Sequence, residues 1–357
     1  MNSPHEFARL HAAVRDLAAA GFAPAAALAT ITRTHGSTFR HAGASMLVRA
    51  DGAVVCALSG GCPQRDIVLR AQRVIAQGCA ELARYDRESG LDVLLEMGCG
   101  GELEVLIEPL REPADVRFFD AVAAAQAARA PGVLATRFAR DGRALTPRPQ
   151  RLVAAGATQW HDLTDPALAA RLRALGEADG AAQTRVVPLA SAAGTDEVLL
   201  EPLRPPHVLH LVGVNAAAFA LARLGAALGW ECILVDDADA PRELPPGVRF
   251  VRAAPATWHA AIRADAAASV VVMTFRLERD LAWLAALREA PLAYLGAIAS
   301  RERSARLRAA AGAALYAPAG LDLGAETPEE IALAVAAEIL AVLNCRSAAS
   351  LGASGQR

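Results

Sequence analysis

Between residues 5 and 23 the apolar positions Phe7, Leu10, Val14 and Leu17 recur at helical spacing, which predicts an amphipathic helix. After Pro24 the period shortens to that of strands, over 27–33, 44–50 and 53–58, with Asp51-Gly52 as the hairpin turn between the last two. A helix over 63–77 and a strand over 81–85 follow. In the next strand, 102–108, Glu102, Leu103, Glu104 and Val105 alternate as a half-buried strand does. Residues 1–110 therefore read as an α+β domain. Residues 111–204 pattern as helices over 114–128 and 166–175 and short strands near 133–138, 152–155 and 184–189, with a turn at 140–143. That middle segment holds no chemical constellation and reads as structural or partner-facing.

From Pro205 the pattern sharpens. His207 to Val214 is an apolar strand, 216–229 a helix and Glu231 to Asp237 a second strand; Val270 to Thr274 and Leu292 to Ile298 are two more, each followed by a helical pattern. Short apolar runs alternating with helices predict a Rossmann-like, doubly wound parallel sheet over 205–345. Thr327, Pro328 and Glu330 mark the start of a final helix as N-cap, first helical residue and capping-box acid, with Ile331, Val335, Ile339 and Val342 on its buried face. The small, polar tail 346–357 reads as disordered. The fold class expected is α/β, an α+β N-terminal domain joined through the middle segment to the parallel-sheet domain.

Composition narrows the chemistry. With 54% hydrophobic and 21% charged residues, the 357-residue chain has ample material for a core. Its 36 basic and 38 acidic residues leave a net charge of −2, which argues against nucleic acid or an anionic membrane surface as partner. Every basic residue is arginine. The absence of lysine removes Schiff-base chemistry, the phosphate-binding lysine of a P-loop and the lysine of a kinase. The uncharged run Leu17 to Thr32 is half alanine and is broken by Gly21 and Pro24, so no segment reads as membrane-spanning. Glu6 and Asp16 stand where a signal peptide tolerates acids poorly, and six cysteines are far below disulfide-scaffold density. A cytoplasmic protein with reduced thiols is expected.

Two cysteines are flanked by glycine. Ser59-Gly60-Gly61-Cys62-Pro63 closes a strand and opens a helix, so the Cys62 thiol would meet a positive helix end that favours the thiolate. Met97-Gly98-Cys99-Gly100-Gly101 sets a second thiol before strand 102–108. The glycines Gly60, Gly61, Gly98 and Gly100 permit close approach by a ligand, and thiolates are soft metal ligands and sulfur carriers. Small buried hydrophobes are the other reading, the one taken for Cys56, Cys79, Cys232 and Cys345. No C-x-x-C pair supports structural zinc. The loop Arg33-Thr34-His35-Gly36-Ser37-Thr38-Phe39-Arg40 joins hydroxyls to arginines, and either binds an oxyanion, through Ser37 and Arg40, or is a solvated loop. Gly213-Val214-Asn215-Ala216-Ala217-Ala218 stands where a dinucleotide fingerprint would lie, with Asp236 or Asp237 at the distance for a ribose, and either binds a dinucleotide or belongs to a Rossmann shell with a weakened site. Asn215 replaces the glycine that lets backbone approach a pyrophosphate. Since Asn tolerates a left-handed backbone, the turn is expected to survive while phosphate affinity falls. The stretch Gly320-Leu321-Asp322-Leu323-Gly324-Ala325 reads by itself as a connector.

Together these segments resemble the XdhC/CoxI family of accessory proteins of xanthine dehydrogenase and related molybdenum hydroxylases. The resemblance runs through Arg33 to Ser37, Gly43 to Leu47, Ser59 to Cys62 with Asp66, Gly98 to Gly101, Glu201-Pro202-Leu203, Ser300-Arg301 and, most specifically, Gly320 to Ala332. It implies a protein that binds the molybdenum cofactor, protects it and delivers its sulfurated form to an apo molybdenum hydroxylase. Cys62 and Cys99 would be ligands to molybdenum, and arginine and hydroxyl groups would hold the pterin phosphate. It also implies a cysteine desulfurase as partner. The chain departs from the family at Val214, Asn215 and Ala216, where Ala-Gly-His is usual, at Gln64, at Phe275-Arg276-Leu277 and at Ala299. Two other functions fit the residues: an NAD(P)-dependent oxidoreductase on the C-terminal domain, and an assembly scaffold in which both thiols are inert. A homodimer is expected for so apolar a chain.

Overall fold

The structure, a computed structural model, describes residues 2–58, 62–86, 101–178, 183–312 and 314–350. The chain forms two compact units, Met1–Pro205 and Pro206–Arg357. Among the described residues no helix is long and apolar enough to cross a membrane.

The first unit opens on α1 (Pro4–Ala19), begun by a capping box in which the Ser3 hydroxyl accepts the Glu6 N–H and the Glu6 carboxylate accepts the Ser3 N–H. Its first sheet holds β1 (Ala26–His35), β2 (Ser45–Arg49), β3 (Val54–Val55), β4 (Glu81–Tyr85) and β5 (Glu102–Leu110), antiparallel in the order β3-β2-β1-β5-β4. Helix α2 (Cys62–Gln77) covers one face, with Ile67, Ala71 and Val74 packed on Leu103, Val105 and Ile107.

The opposite face of β5 departs from the expected half-buried alternation. Glu104 and Glu108 share that face, and both are buried, at 7% and 0% exposure. A second sheet lies over them, built from β6 (Gly132–Arg140), β7 (Arg143–Ala144), β8 (Gln150–Ala155), β9 (Thr158–His161), β10 (Arg185–Ser191) and β11 (Gly194–Leu203) in the order β10-β11-β6-β8-β9, with β7 on β6. Arginines neutralise both acids, Arg33 and Arg84 of the same sheet at Glu104 and an arginine of the opposing sheet at Glu108. Arg151 of β8 forms a two-pronged pair with Glu108, one arm at 3.0 Å, and lies 4.0 Å over the Phe118 ring. α1 and α3 (Pro113–Ala127) complete this core through Phe7, Leu10, Phe118 and Phe119, against Leu134, Val153 and Leu203. The segments 1–110 and 111–204 thus fall within one compact unit, because the charged face of β5 is a packing face. Helix α4 (Pro166–Ala178) packs on the second sheet.

The second unit is the expected doubly wound sheet, all parallel in the order β14-β13-β12-β15-β16-β17. Its strands are β12 (Val208–Val212), β13 (Glu231–Asp236), β14 (Arg249–Arg252), β15 (Ala268–Val272), β16 (Tyr294–Ala297) and β17 (Leu315–Tyr316). Helices α5 (Ala216–Ala227) and α8 (Pro328–Leu343) cover one face and α6 (Leu277–Leu287) and α7 (Arg301–Ala311) the other. At the start of α8 the Thr327 hydroxyl accepts the Glu330 N–H, and Glu330 accepts the Thr327 N–H at 3.0 Å, as the S/T-x-x-E spacing predicts. Thr327→Ala is expected to lower the stability of this unit by about 1 kcal/mol in urea unfolding. The Gly320 to Gly324 stretch is more than a connector. Gly320 (φ +108°) donates its N–H to Glu338 at 2.8 Å, and a Cβ there would crowd Ala334 and Val335 of α8 at 3.2–3.3 Å.

Candidate functional site

Three of the family-like segments gather at one end of the first sheet. Cys62 is the first residue of α2. One turn on, the Asp66 carboxylate accepts hydrogen bonds from Arg70 Nε at 2.6 Å and from the Tyr85 hydroxyl at 2.8 Å, which fastens this end of the helix to the end of β4. Burial favours the neutral acid, but the Arg70 and Tyr85 hydrogen bonds and the charges of Arg70 and Arg73 outweigh it and hold the Asp66 pKa below its usual value. Burial, with the Asp66 carboxylate beside it, pushes the Tyr85 hydroxyl pKa up, so Tyr85 is a fixed donor. Tyr85 pairs with Leu103, and two residues before Leu103 stands Gly101. A Cβ on Gly101 would lie 2.1 Å from the Ser37 carbonyl oxygen and 2.7 Å from Thr38 Cγ2. Only glycine allows that approach, so the 36–38 loop is seated against the chain two residues beyond Cys99 in sequence.

Beside this junction is a cavity of about 320 Å³, lined by Arg33, Thr34 and His35 of β1, Arg84 and Asp86 at the end of β4, and Glu102, Leu103 and Glu104 of β5. Its floor is an ionic network. Glu104 accepts from the Thr32 hydroxyl at 2.8 Å, from Arg84 Nε at 3.0 Å and from Arg33, whose other arm pairs with Glu197 of β11. The Arg33 pKa is raised: burial opposes the charge, but hydrogen bonds and charges from Glu197 and Glu104 prevail. Arg84 and His35 remain exposed. Thr38 Oγ1 is shielded from solvent and makes no hydrogen bond among the described residues. A buried hydroxyl without a partner costs on the order of 1–3 kcal/mol, which makes it a ready donor to a bound group.

The sequence-identified residues divide as follows. Gly60, Gly61, Gly98, Cys99 and Gly100 lie outside the described residues, as does the side chain of Cys62. Ser37 is exposed in the loop, next to Gly101. Arg40 is turned toward α1, where it pairs with both carboxylate oxygens of Glu6, at 2.6 and 2.8 Å. Its charge is met within the fold. Gly213, Asn215 and Asp236 belong to the second unit, at the C-terminal ends of β12 and β13. There the left-handed residue is Gly213 (φ +114°), whereas Asn215 is extended (φ −161°) and caps α5. The turn thus survives without a left-handed residue at 215: an N-cap residue takes extended backbone so that its side chain reaches the third helical N–H, and the Asn215 side chain accepts from Ala218 N–H at 3.0 Å. Among the described residues no cluster of three or more metal-ligating side chains occurs. Arg33, Arg84, Glu104 and Glu197 were not singled out by sequence reasoning. The available signal was the repeat of acids at 102, 104 and 108 on one face of a strand otherwise as apolar as a buried one.

A first unit of two antiparallel sheets and a second unit built on a doubly wound parallel sheet define an α/β protein with a Rossmann-like C-terminal unit. The family model of the XdhC Rossmann domain matches residues 209–339, and that of the XdhC and CoxI family matches residues 23–86, together more than half of the chain. The chain belongs to the XdhC and CoxI family. A protein of Bacillus subtilis (strain 168) described as a probable xanthine dehydrogenase subunit is 27% identical over 322 residues, covering 88% of this chain and 92% of its own. An uncharacterized protein of Escherichia coli (strain K12), YqeB, is 35% identical over 149 residues, 38% of this chain and 27% of its own length. A crystal structure described as a xanthine dehydrogenase from Bacillus halodurans superposes with a TM-score of 0.76 at 23% identity, covering 96% of this chain and 98% of that one, a likeness of fold.

Proposed function

We propose that the protein is a maturation factor, without turnover of its own, that carries the molybdenum cofactor as cargo and delivers its sulfurated form to an apo molybdenum hydroxylase of the xanthine dehydrogenase kind. The observation that supports this reading best is the close seat of the 36–38 loop on Gly101, each next in sequence to the His35 and Glu102 that line the polar cavity. At about 320 Å³ the cavity lies at the lower end of the range for small-molecule sites. The molybdenum of the cargo is soft and suits the thiolates of Cys62 and Cys99. Its pterin phosphate suits Arg84 and His35 on the cavity wall, while Arg40, already paired with Glu6, takes the smaller part in this reading. The partners are the apo-hydroxylase, which accords with the names of the Bacillus relatives, and a cysteine desulfurase that supplies the sulfur. The cytoplasm, where both would meet it, is the proposed location, and a homodimer the proposed assembly.

The reading predicts that a xanthine dehydrogenase-like hydroxylase co-produced with this protein has at least about tenfold more activity per enzyme than with Cys62→Ser/Cys99→Ser, the scale on which changes around a metal site act. Equal activation by wild type and double variant, both folded by circular dichroism, contradicts the carrier role and favours an inert scaffold.

A further inference from the structure

A doubly wound sheet of this type holds a dinucleotide at two points. The pyrophosphate rests on free N–H groups at the start of the helix that follows the first strand, and an acid at the end of the second strand accepts the ribose hydroxyls. In this protein both points are already filled. Asn215 Oδ1 accepts the Ala218 N–H at 3.0 Å, and its Nδ2 donates to the Met273 carbonyl at 2.7 Å, binding the start of α5 to the end of β15. These are the two strands between which the sheet reverses its winding. Gly213 is pressed into the same junction, where a Cβ would lie 2.8 Å from the Met273 oxygen. Asp236, whose side chain is 7% exposed, accepts the Val214 N–H at 3.2 Å, the Ala238 N–H at 3.1 Å and Arg279 Nη2 at 2.8 Å. Arg279, from α6 on the other side of the junction, also pairs with Asp237.

We infer that the crevice of the Rossmann unit is ligated by its own chain, with Arg279 on the ribose carboxylate and the Asn215 side chain in the phosphate position, and that the unit does not take a dinucleotide. A ribose would have to replace a charge-assisted guanidinium bond with neutral hydroxyl bonds, at a carboxylate that three donors already satisfy. A pyrophosphate would meet a side chain where bare backbone is needed. The fold is kept while its usual ligand is displaced by two residues.

The test is thermal unfolding and isothermal titration of the full chain with NAD+, NADH and NADP+ at ~1 mM, a concentration at which a ~10 μM site raises the melting temperature measurably. Wild type is expected to show no shift and no heat of binding. Arg279→Ala/Asn215→Gly is expected to bind at least one of the three, with a Kd at least about tenfold below any wild-type value. Arg279→Met, which keeps an aliphatic side chain at that position, is a single-site check if the double variant does not fold, and is expected to bind NAD+ detectably. Binding by wild type overturns the inference. So does the absence of binding in every folded variant, because the blocking groups are then not Arg279 and Asn215.

Discussion

Arg151→Ala is expected to destabilise the N-terminal unit by about 3–5 kcal/mol, the cost of leaving one partner of a buried ion pair uncompensated. Glu108 has 0% exposure, and its pKa is already raised by burial, which the Arg151 charge and hydrogen bonds offset only in part. Without Arg151 the carboxyl must be buried neutral or drag water into a core lined by Phe118 and Leu134. Urea unfolding followed by circular dichroism reads the loss directly. The double change Glu108→Leu/Arg151→Met removes both charges, and is expected to recover most of the stability. A loss for Arg151→Ala below about 1 kcal/mol, the range of an exposed pair, contradicts the burial of β5 on both faces.

Gly101→Val should abolish client activation, or reduce it at least about tenfold, for a purely geometric reason. The new side chain has its first atom 2.1 Å from the Ser37 carbonyl oxygen, so the 36–38 loop must move away from the strand that follows Cys99. The change replaces no thiol and no charged residue. Gly247→Asn is a suitable comparison, since its position is left-handed (φ +77°), which Asn tolerates, and open to 4 Å. It is expected to activate the hydroxylase as wild type does. Wild-type activation by Gly101→Val would show that the loop and the cysteine segment work independently of one another.

The local signals are legible in the sequence. The Thr327-Pro328-Glu330 cap, the strand 81–85, the start of α2 at the glycine-bounded cysteine and the order of elements in the parallel sheet all depend on residues within a few positions of each other. What the sequence hid is non-local. The acids of β5 look solvent-facing until Arg33 is found beside Glu104 and Arg151 over Glu108, the latter 43 residues from its partner. Arg40 looks available for a phosphate until Glu6 of α1 is found beside it. Asp236 carries the spacing of a ribose acid, yet Arg279, 43 residues further on, occupies it. In each case the residue type was informative, and the partner that decided its role came from another element. The second hairpin strand, β11, was also missed, because Glu197 and Asp196 interrupt its apolar pattern and both are held by arginines.

The most direct test of the carrier function is the molybdenum and pterin content of the protein purified from cells that make the cofactor, by elemental analysis and pterin fluorescence, for wild type and Cys62→Ser/Cys99→Ser. The account predicts both in wild type and a fall of at least about tenfold in the folded double variant. Equal content in the two proteins, or none in either, would contradict it.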